Sequence, residues 1–273
     1  MRIRIETQNN PVKMASTCLN CQSTITENFC GNCGQKKFKR IDRKYVVDEA
    51  QYLLVHTNKG FLYSVKNILK NPGKTARDFI DGNRVNHYKP LLLAFVLSGI
   101  SAFISFKILN LNELLGQFMV QTSGANANKA LSFLSSYNSV IMLAFLPVLA
   151  IFTSIIFRKW GQNYYEHIVM NAFGLSCYTL ITIIVSYPIL YLVRGNMGAF
   201  MKVFSASTLI IPFIFVWFYR GFYPEKSIGK IILKVLLIIV SVFLAYMAVI
   251  FIAVILVTII KGPEALKMFQ PPK

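Results

Sequence analysis

Five apolar stretches dominate the last two-thirds of the chain: Pro90 to Leu109, Ser139 to Phe157, Ile168 to Val193, Val203 to Tyr219 and Ile231 to Ile260. A helix needs about 20 residues to cross the hydrocarbon core of a bilayer, and these stretches fit in length and in scarcity of charge. Lys107 near the far end of the first and Lys234 in the first turn of the last sit where long side chains snorkel to the interface. The fourth stretch is the weakest, because it is short and carries Pro212, which kinks it; if it fails to cross, the C-terminus changes sides. The last is long enough to tilt strongly or to leave the bilayer as helix. The pattern predicts an all-α integral membrane helix bundle of about five transmembrane helices over 90–260, followed by a tail at 261–273.

A different periodicity precedes the first span. Val46, Val47, Ala50, Leu53 and Leu54 recur at helical spacing, and so do Phe61, Leu62, Val65, Ile68 and Leu69. Each set makes one apolar face, too short to cross a bilayer, and Lys59, Lys66 and Lys70 flank the second. Asn71-Pro72-Gly73 ends that helix, and a short one around Thr75 to Ile80 is stopped by Asp81-Gly82. Arg84, His87, Tyr88 and Lys89 are then expected at the headgroup level before Pro90. Residues 37–89 thus read as basic amphipathic interfacial helices. The same spacing fits helices packed on one another as a small cap, because burial against protein and against lipid leaves one periodicity.

Composition supports the bilayer as solvent: 55% hydrophobic residues and a mean hydropathy of +0.51 exceed what a globular surface hides. Residues 1–90 hold 16 of the 29 Lys and Arg and 7 of the 11 Asp and Glu. Such a flank is drawn to anionic lipid by about 1 kcal/mol per basic residue near the surface. Nucleic-acid binding is the rival reading, disfavoured because basic residues beside a span already have a topological explanation. Arg158, Lys159, Arg220, Lys226 and Lys230 fall in one set of loops, against Lys129, Arg194 and Lys202 in the other. That bias predicts a cell-membrane protein with its N-terminus in the cytoplasm and its C-terminus outside, although Lys261, Lys267 and Lys273 run against it. Residues 1–14 are polar, lack a secretory signal and read as a flexible N-terminus.

The clearest chemical signal is Cys18-x2-Cys21 followed, after eight residues, by Cys30-x2-Cys33. Two such pairs place four thiolates around a tetrahedral ion, which predicts a structural Zn2+ in a knuckle over 15–36. Iron–sulfur or redox-dithiol chemistry is the runner-up, disfavoured by the symmetry of the pairs and the lack of a thioredoxin-like context. Gly31 and Gly34 suit the second pair, where the turn often needs positive φ. In so short a segment the metal supplies most of the folding free energy, and a knuckle of this kind recognises a partner or fixes a neighbouring segment. Gly73-Lys74-Thr75 is not a phosphate loop, since Ile68 stands where that motif needs glycine. Glu166 and His167, at the entrance to the third span, admit two readings. One is helix capping, with Tyr164 and Tyr165 as aromatic anchors; the other is a functional polar pair. Cys177 reads as a small packing residue. No Asp, Glu, Arg or His falls near a predicted midplane, which disfavours an ion-coupled transporter.

The order Cys18-x2-Cys21, Cys30-x2-Cys33-Gly34-Gln35, Asn71-Pro72-Gly73, Arg77, Ile80-Asp81-Gly82-Asn83-Arg84, Tyr88, Pro90 and Tyr165-Glu166-His167 resembles an uncharacterised bacterial membrane family, domain of unknown function 3667. The resemblance covers about residues 15–260, with Asn83 standing where the pattern has lysine. It implies architecture and site candidates and supplies no reaction; the layout is also loosely similar to the Yip-type membrane proteins. The leading expectation is a non-enzymatic scaffold or adaptor that receives a cytoplasmic protein or anionic lipid. Arg77, Arg84, Glu166 and His167 would form a polar cluster at its cytoplasmic interface, with Arg84 facing Glu166. The alternative is a transporter or lipid-handling protein gated by that cluster. An enzyme ranks third, because no nucleophile–base pair or open metal site can be assembled from the polar residues.

Overall fold

The computed structural model describes residues 16–37, 40–46, 60–111, 113–114 and 138–261. The first predicted amphipathic face beyond Val46, the N-terminus at 1–14, Lys59, most of the loop from Asn110 to Asn138 and the tail beyond Lys261 lie outside the described residues. In chain order the elements are β1 (Ser16–Thr17), β2 (Thr24–Ile25), α1 (Phe61–Lys70), α2 (Pro72–Ile80), α3 (Pro90–Phe103), α4 (Asn138–Ile156), α5 (Tyr164–Ile181), α6 (Tyr187–Val193), α7 (Met197–Leu209), α8 (Ile211–Phe222) and α9 (Ile228–Lys261).

Four helical rods are long and apolar enough to cross a membrane: Pro90–Ile108, Tyr164–Val193, Met197–Phe222 and Ile228–Ile252. A shorter apolar helix, Val140–Ile156, lies where the second span was predicted. Together they make an all-α integral membrane bundle with a four-cysteine cluster ahead of it. The prolines shape the rods. Pro188 has no N–H and crowds the carbonyl four residues before it, and a π-turn at Thr182–Ser186 joins α5 to α6 immediately upstream. At the predicted Pro212 kink the helix breaks, and α8 restarts with the proline in its first turn, where a missing N–H costs nothing. The third span begins at Tyr164 rather than at Ile168, so Glu166 and His167 are part of the helix.

α5 occupies the centre, packed against α2, α3 and α4, with an unbroken run of buried residues from Glu166 to Gly174. α9 is the opposite case: only 6% of its most apolar stretch is buried. Among its described residues Ile231, Val235 and Ile238 are buried, near its start, and α9 packs on α8 and α4.

The choice left open for residues 60–89 resolves mainly toward a protein cap. α2 is a wedge, with Pro72, Gly73, Thr75, Ala76, Phe79 and Ile80 buried against α5 and α8. Asn71 both ends α1 and starts α2. Its Oδ1 accepts the Lys74 amide at 3.0 Å, and Pro72 follows in the first helical position, so α2 begins at Pro72 and not at Thr75. His87 and Tyr88 are buried rather than at the headgroup level. The His87 ring packs edge-on to Tyr63, Phe79 and Phe173. Ser64 Oγ accepts the Tyr88 amide at 2.8 Å and lies 3.3 Å from His87 Nδ1. Among the described residues of the cap, α1 keeps an exposed apolar face, with Leu62, Tyr63 and Leu69 beside Lys66 and Lys70.

The wedge depends on backbone meeting backbone. A Cβ at Gly73 would lie 1.9 Å from the Phe218 carbonyl oxygen, and one at Gly221 would lie 2.4 Å from Asn71 Oδ1. Gly73→Ala is therefore expected to destabilise the protein by about 2 kcal/mol or more in thermal unfolding in detergent. Gly195→Ala, with nothing within 4 Å, serves as the neutral control. An unchanged midpoint for Gly73→Ala would show that the helices do not touch there. Burial lowers the His87 pKa, against a smaller opposing effect of Asp78. The unfolded ring binds a proton near about pH 6.5, so its contribution to stability is full above that pH and falls as pH drops below it. His87→Gln should flatten the acid side of the stability profile, measured between about pH 5 and about pH 7.5.

Candidate metal centre

The two cysteine pairs sit on equivalent turns. β1 pairs antiparallel with β2, Ser16 opposite Ile25, and the connection carries Cys18 and Cys21; a bridge between Phe29 and Lys36 frames Cys30 and Cys33 in the same way. In the first turn the Cys18 amide donates to the Ser23 carbonyl at 2.8 Å and the Gln22 amide to the Cys18 carbonyl at 2.9 Å. In the second, the Cys30 amide donates to Gln35 at 2.7 Å and the Gly34 amide to Cys30 at 2.9 Å. The residue after each pair is left-handed, Gln22 at φ +62° and Gly34 at φ +73°. Gly31, expected to share that role, is not among the positive-φ residues, because the reversal comes one residue after the second cysteine.

The four sulfurs lie within 4.8 Å of one another, with Cys18 to Cys33 at 3.6 Å and Cys21 to Cys30 at 3.5 Å. Thiolates about 2.3 Å from a tetrahedral ion stand about 3.8 Å apart, so the cluster is positioned to bind a metal ion. Hydrogen bonds with the Ser23 side chain and then its backbone hold the Cys21 thiol down to about 6. Asn20 and the Gln35 backbone lower Cys33 in the same direction. Both shifts favour the thiolate, the form that ligates; at Cys30 the backbone amides of Cys33 and Asn32 act the same way, but burial and the neighbouring Cys21 and Cys33 thiols outweigh them and push it up to about 11.

Two junctions fix this cluster to the membrane bundle. At the first, the buried Gln35 side chain accepts the backbone amides of Arg84 at 3.3 Å and Val85 at 3.2 Å. Asn86 Nδ2 donates to Asn20 Oδ1 at 3.0 Å beside it. At the second, Arg40 clasps Glu166, Nε to Oε1 at 2.8 Å and Nη2 to Oε2 at 3.1 Å, and Nη2 also donates to the Gly161 carbonyl at 2.8 Å. Asn163 Nδ2 donates to the carbonyl of the fully buried Ile41 at 2.9 Å. Asn163 and Glu166 also form a capping box for α5: the Asn163 amide reaches Glu166 Oε2 at 2.8 Å and the Glu166 amide reaches Asn163 Oδ1 at 2.9 Å.

The four polar residues singled out from sequence share one end of the bundle but do not form one cluster. Glu166 takes Arg40 as its cation. Arg84 instead closes the C-terminus of α2, donating to the carbonyls of Phe79 at 3.0 Å and Ile80 at 3.1 Å, with its guanidinium 4.9 Å over the Tyr45 ring. The expected Arg84–Glu166 pairing is thus replaced, because the α2 carbonyls claim the one side chain and the α5 amides and Arg40 claim the other. Arg77 ties α2 to the α8–α9 turn through Glu225 at 2.9 Å and the Phe222 carbonyl at 3.0 Å, with Asp81 at 3.6 Å. His167 is fully buried, its ring 6.1 Å from that of Phe157, and among the described residues neither ring nitrogen has a hydrogen-bond partner. One turn on, Asn171 donates to Thr153 Oγ1 at 3.1 Å. Cys177 lies buried in the apolar core.

Sequence reasoning missed Arg40, Asn163, Gly221 and Glu225, and met Gln35 only as part of the family resemblance. Asn163-x-x-Glu166 was legible as a capping box. The Arg40–Glu166 pair spans 126 positions and leaves no local signal. Arg40→Ala leaves a buried carboxylate without its cation and should cost about 1–3 kcal/mol in thermal unfolding. Adding Glu166→Gln to it should recover part of that loss, since the residual penalty belongs to the unpaired charge. Equal midpoints for wild type and Arg40→Ala would remove this junction from the fold.

No curated protein and no solved structure matches the chain. Residues 58–102, which include the loop that receives the cysteine cluster and lead into the first span, match the family model described as protein of unknown function, DUF3667.

Proposed function

We propose that the protein is a non-enzymatic membrane scaffold or adaptor, in which a zinc knuckle and the α1–α2 cap form a docking platform on the cytoplasmic face. The observation that carries this reading is the double junction. The cysteine cluster is fastened through Gln35 to the loop before α3, and through Arg40 and Ile41 to the start of α5. A segment held at both sides of a membrane bundle is suited to presenting a surface. It exposes apolar side chains there, Phe29 at 58% and Leu19 at 45%.

Zinc is the ion that four soft thiolates on this spacing accept most readily, and four protein ligands leave no open position for a substrate. The zinc therefore serves structure in this reading. The basic segment 34–90 supports a cytoplasmic placement and an affinity for anionic lipid. A lipid-handling role is the second reading. It is favoured by an apolar cavity of about 680 Å3 between α4, α8 and α9, lined by Leu149, Phe152, Phe215, Val235 and Val242.

The adaptor is tested with photoreactive residues at positions 19 and 29 in the living cell, and at Ile155, an exposed apolar site on α4, as control. One protein should crosslink from both knuckle positions and be lost in Cys18→Ser, while the chain still inserts and accumulates. A complementation assay should fail with Leu19→Ser plus Phe29→Ser at normal abundance. Crosslinks to lipid alone, together with full complementation by that double variant, would overturn the adaptor.

A further inference from the structure

The α4–α5 turn and the α8–α9 turn are locked together around Trp160. Its ring stands edge-on to that of Tyr223 at 4.6 Å, and Tyr223 Oη donates to Gln162 Oε1 at 2.8 Å. Two ammonium groups lie over the Trp160 ring, Lys234 at 4.9 Å and Lys226 at 5.6 Å. Lys234 is fixed further by the Phe157 ring at 5.2 Å and by a hydrogen bond to the Ile156 carbonyl at the end of α4. Its ammonium has three donors, so two N–H bonds remain without a partner among the described residues. Arg220 braces the second turn, donating to the Pro224 carbonyl at 3.2 Å and the Lys226 carbonyl at 2.6 Å. Lys230 lies one helical turn before Lys234, and Arg158 and Lys159 precede Trp160; all three are exposed. The carboxylate in these turns, Glu225, is taken by Arg77. Among the described residues none of Arg158, Lys159, Lys226, Lys230 and Lys234 is paired with a carboxylate.

An apolar groove leads away from this cationic end. The cavity of about 680 Å3 between α4, α8 and α9 runs from Phe152 and Val235 to Phe145 and Val249. Ile156 and Lys234, joined by their hydrogen bond, stand just beyond the Phe152 and Val235 end. From Val235 to Val249 the helix rises about 21 Å, against a leaflet depth of about 15 Å, half the hydrocarbon core.

We propose that the groove and its cationic end bind one anionic phospholipid from the leaflet on the knuckle side. An acyl chain lies along α9, and the phosphate meets Lys226, Lys230 and Lys234. An apolar groove alone accepts any lipid tail. The headgroup is selected at the mouth, where each basic residue near the surface attracts anionic lipid and Trp160 sits as an interfacial aromatic. A zwitterionic headgroup brings its own cation into that field and is repelled by it, whereas a net anionic phosphodiester brings none. The lysines accept phosphate as point charges, and the fixed Lys234 ammonium sets where the phosphate stops.

The inference gives the lipid-handling reading a ligand, rests on it only in taking the groove as a lipid site, and is independent of the adaptor. The test uses the full chain in nanodiscs of equal parts phosphatidylcholine and phosphatidylglycerol. Native mass spectrometry should show phosphatidylglycerol retained in preference to phosphatidylcholine. Lys226→Gln plus Lys230→Gln should weaken that preference by about ten-fold or more. Ala245→Trp, which fills the groove, should reduce retention with every lysine in place. Lys66→Gln plus Lys70→Gln, on the exposed face of α1, should change neither. Phosphatidylglycerol carrying a diazirine on its acyl chain should label the groove-lining segments of α4, α8 or α9, which decides the groove if Ala245→Trp fails to accumulate. Equal retention of the two lipids, wild-type preference in the Lys226 and Lys230 variant, an equal loss in the α1 variant, or a dimer whose groove takes no label overturns the proposal. Groove labelling by diazirine phosphatidylcholine as strong as by phosphatidylglycerol overturns the choice of anion and leaves the lipid-handling reading, and labelling by neither removes both. Photocrosslinking at positions 19 and 29 reads the adaptor separately.

Discussion

The carboxylate of Glu166 connects the two halves of the molecule. A helix that begins at a membrane surface carries backbone amides with no intrahelical acceptor, and its N-terminus attracts negative charge. Glu166 answers that need within α5 through the Asn163 capping box and then accepts a two-pronged bond from Arg40, seven residues beyond the last cysteine. One buried charge thus serves helix initiation and knuckle attachment together. The two uses meet on one side chain: the carboxylate caps the helix end, and Arg40 offsets the cost of burying it.

The second join is steric. α2 lies against α8 closely enough that Gly73 faces the Phe218 carbonyl and Gly221 faces Asn71, an approach that only residues without a Cβ permit. Arg77 then bridges from α2 to the Phe222 carbonyl and Glu225. The cap and the bundle are therefore coupled through both ends of the same short helix, since Arg84 closes its C-terminus beneath the loop that receives Gln35. The four cysteines positioned to bind a metal ion sit beside Gln35, whose side chain holds that loop, and the loop leads directly into α3.

Much of this was legible in the sequence, and the rest was hidden for identifiable reasons. Length and hydropathy place the long rods, because lipid imposes a composition that no local detail overrides. Cysteine spacing locates the metal cluster, since ligand geometry is local. The Pro212 break follows from covalent structure alone. By contrast, α2 has the same periodicity whether it faces lipid or protein, and only the contact between Gly73 and Gly221 decides, two positions that mean nothing apart. The partner of Glu166 failed for a related reason. Charge complementarity nominated Arg84, but several arginines qualify by charge and only the folded path shows which one arrives. His167 adds a case of the opposite kind: its place in the first turn of α5 was visible, but its complete burial was not.

The outermost helix has mechanical consequences. At about 1.5 Å per residue, the 34 residues of α9 extend about 51 Å, far beyond a hydrocarbon core of about 30 Å. Among its described residues, those that are buried, Ile231, Val235 and Ile238, all fall in the first third of that length. A span longer than the bilayer is accommodated by tilt, and tilting of α9 would turn about the Ile231–Ile238 contacts that seat its entry end.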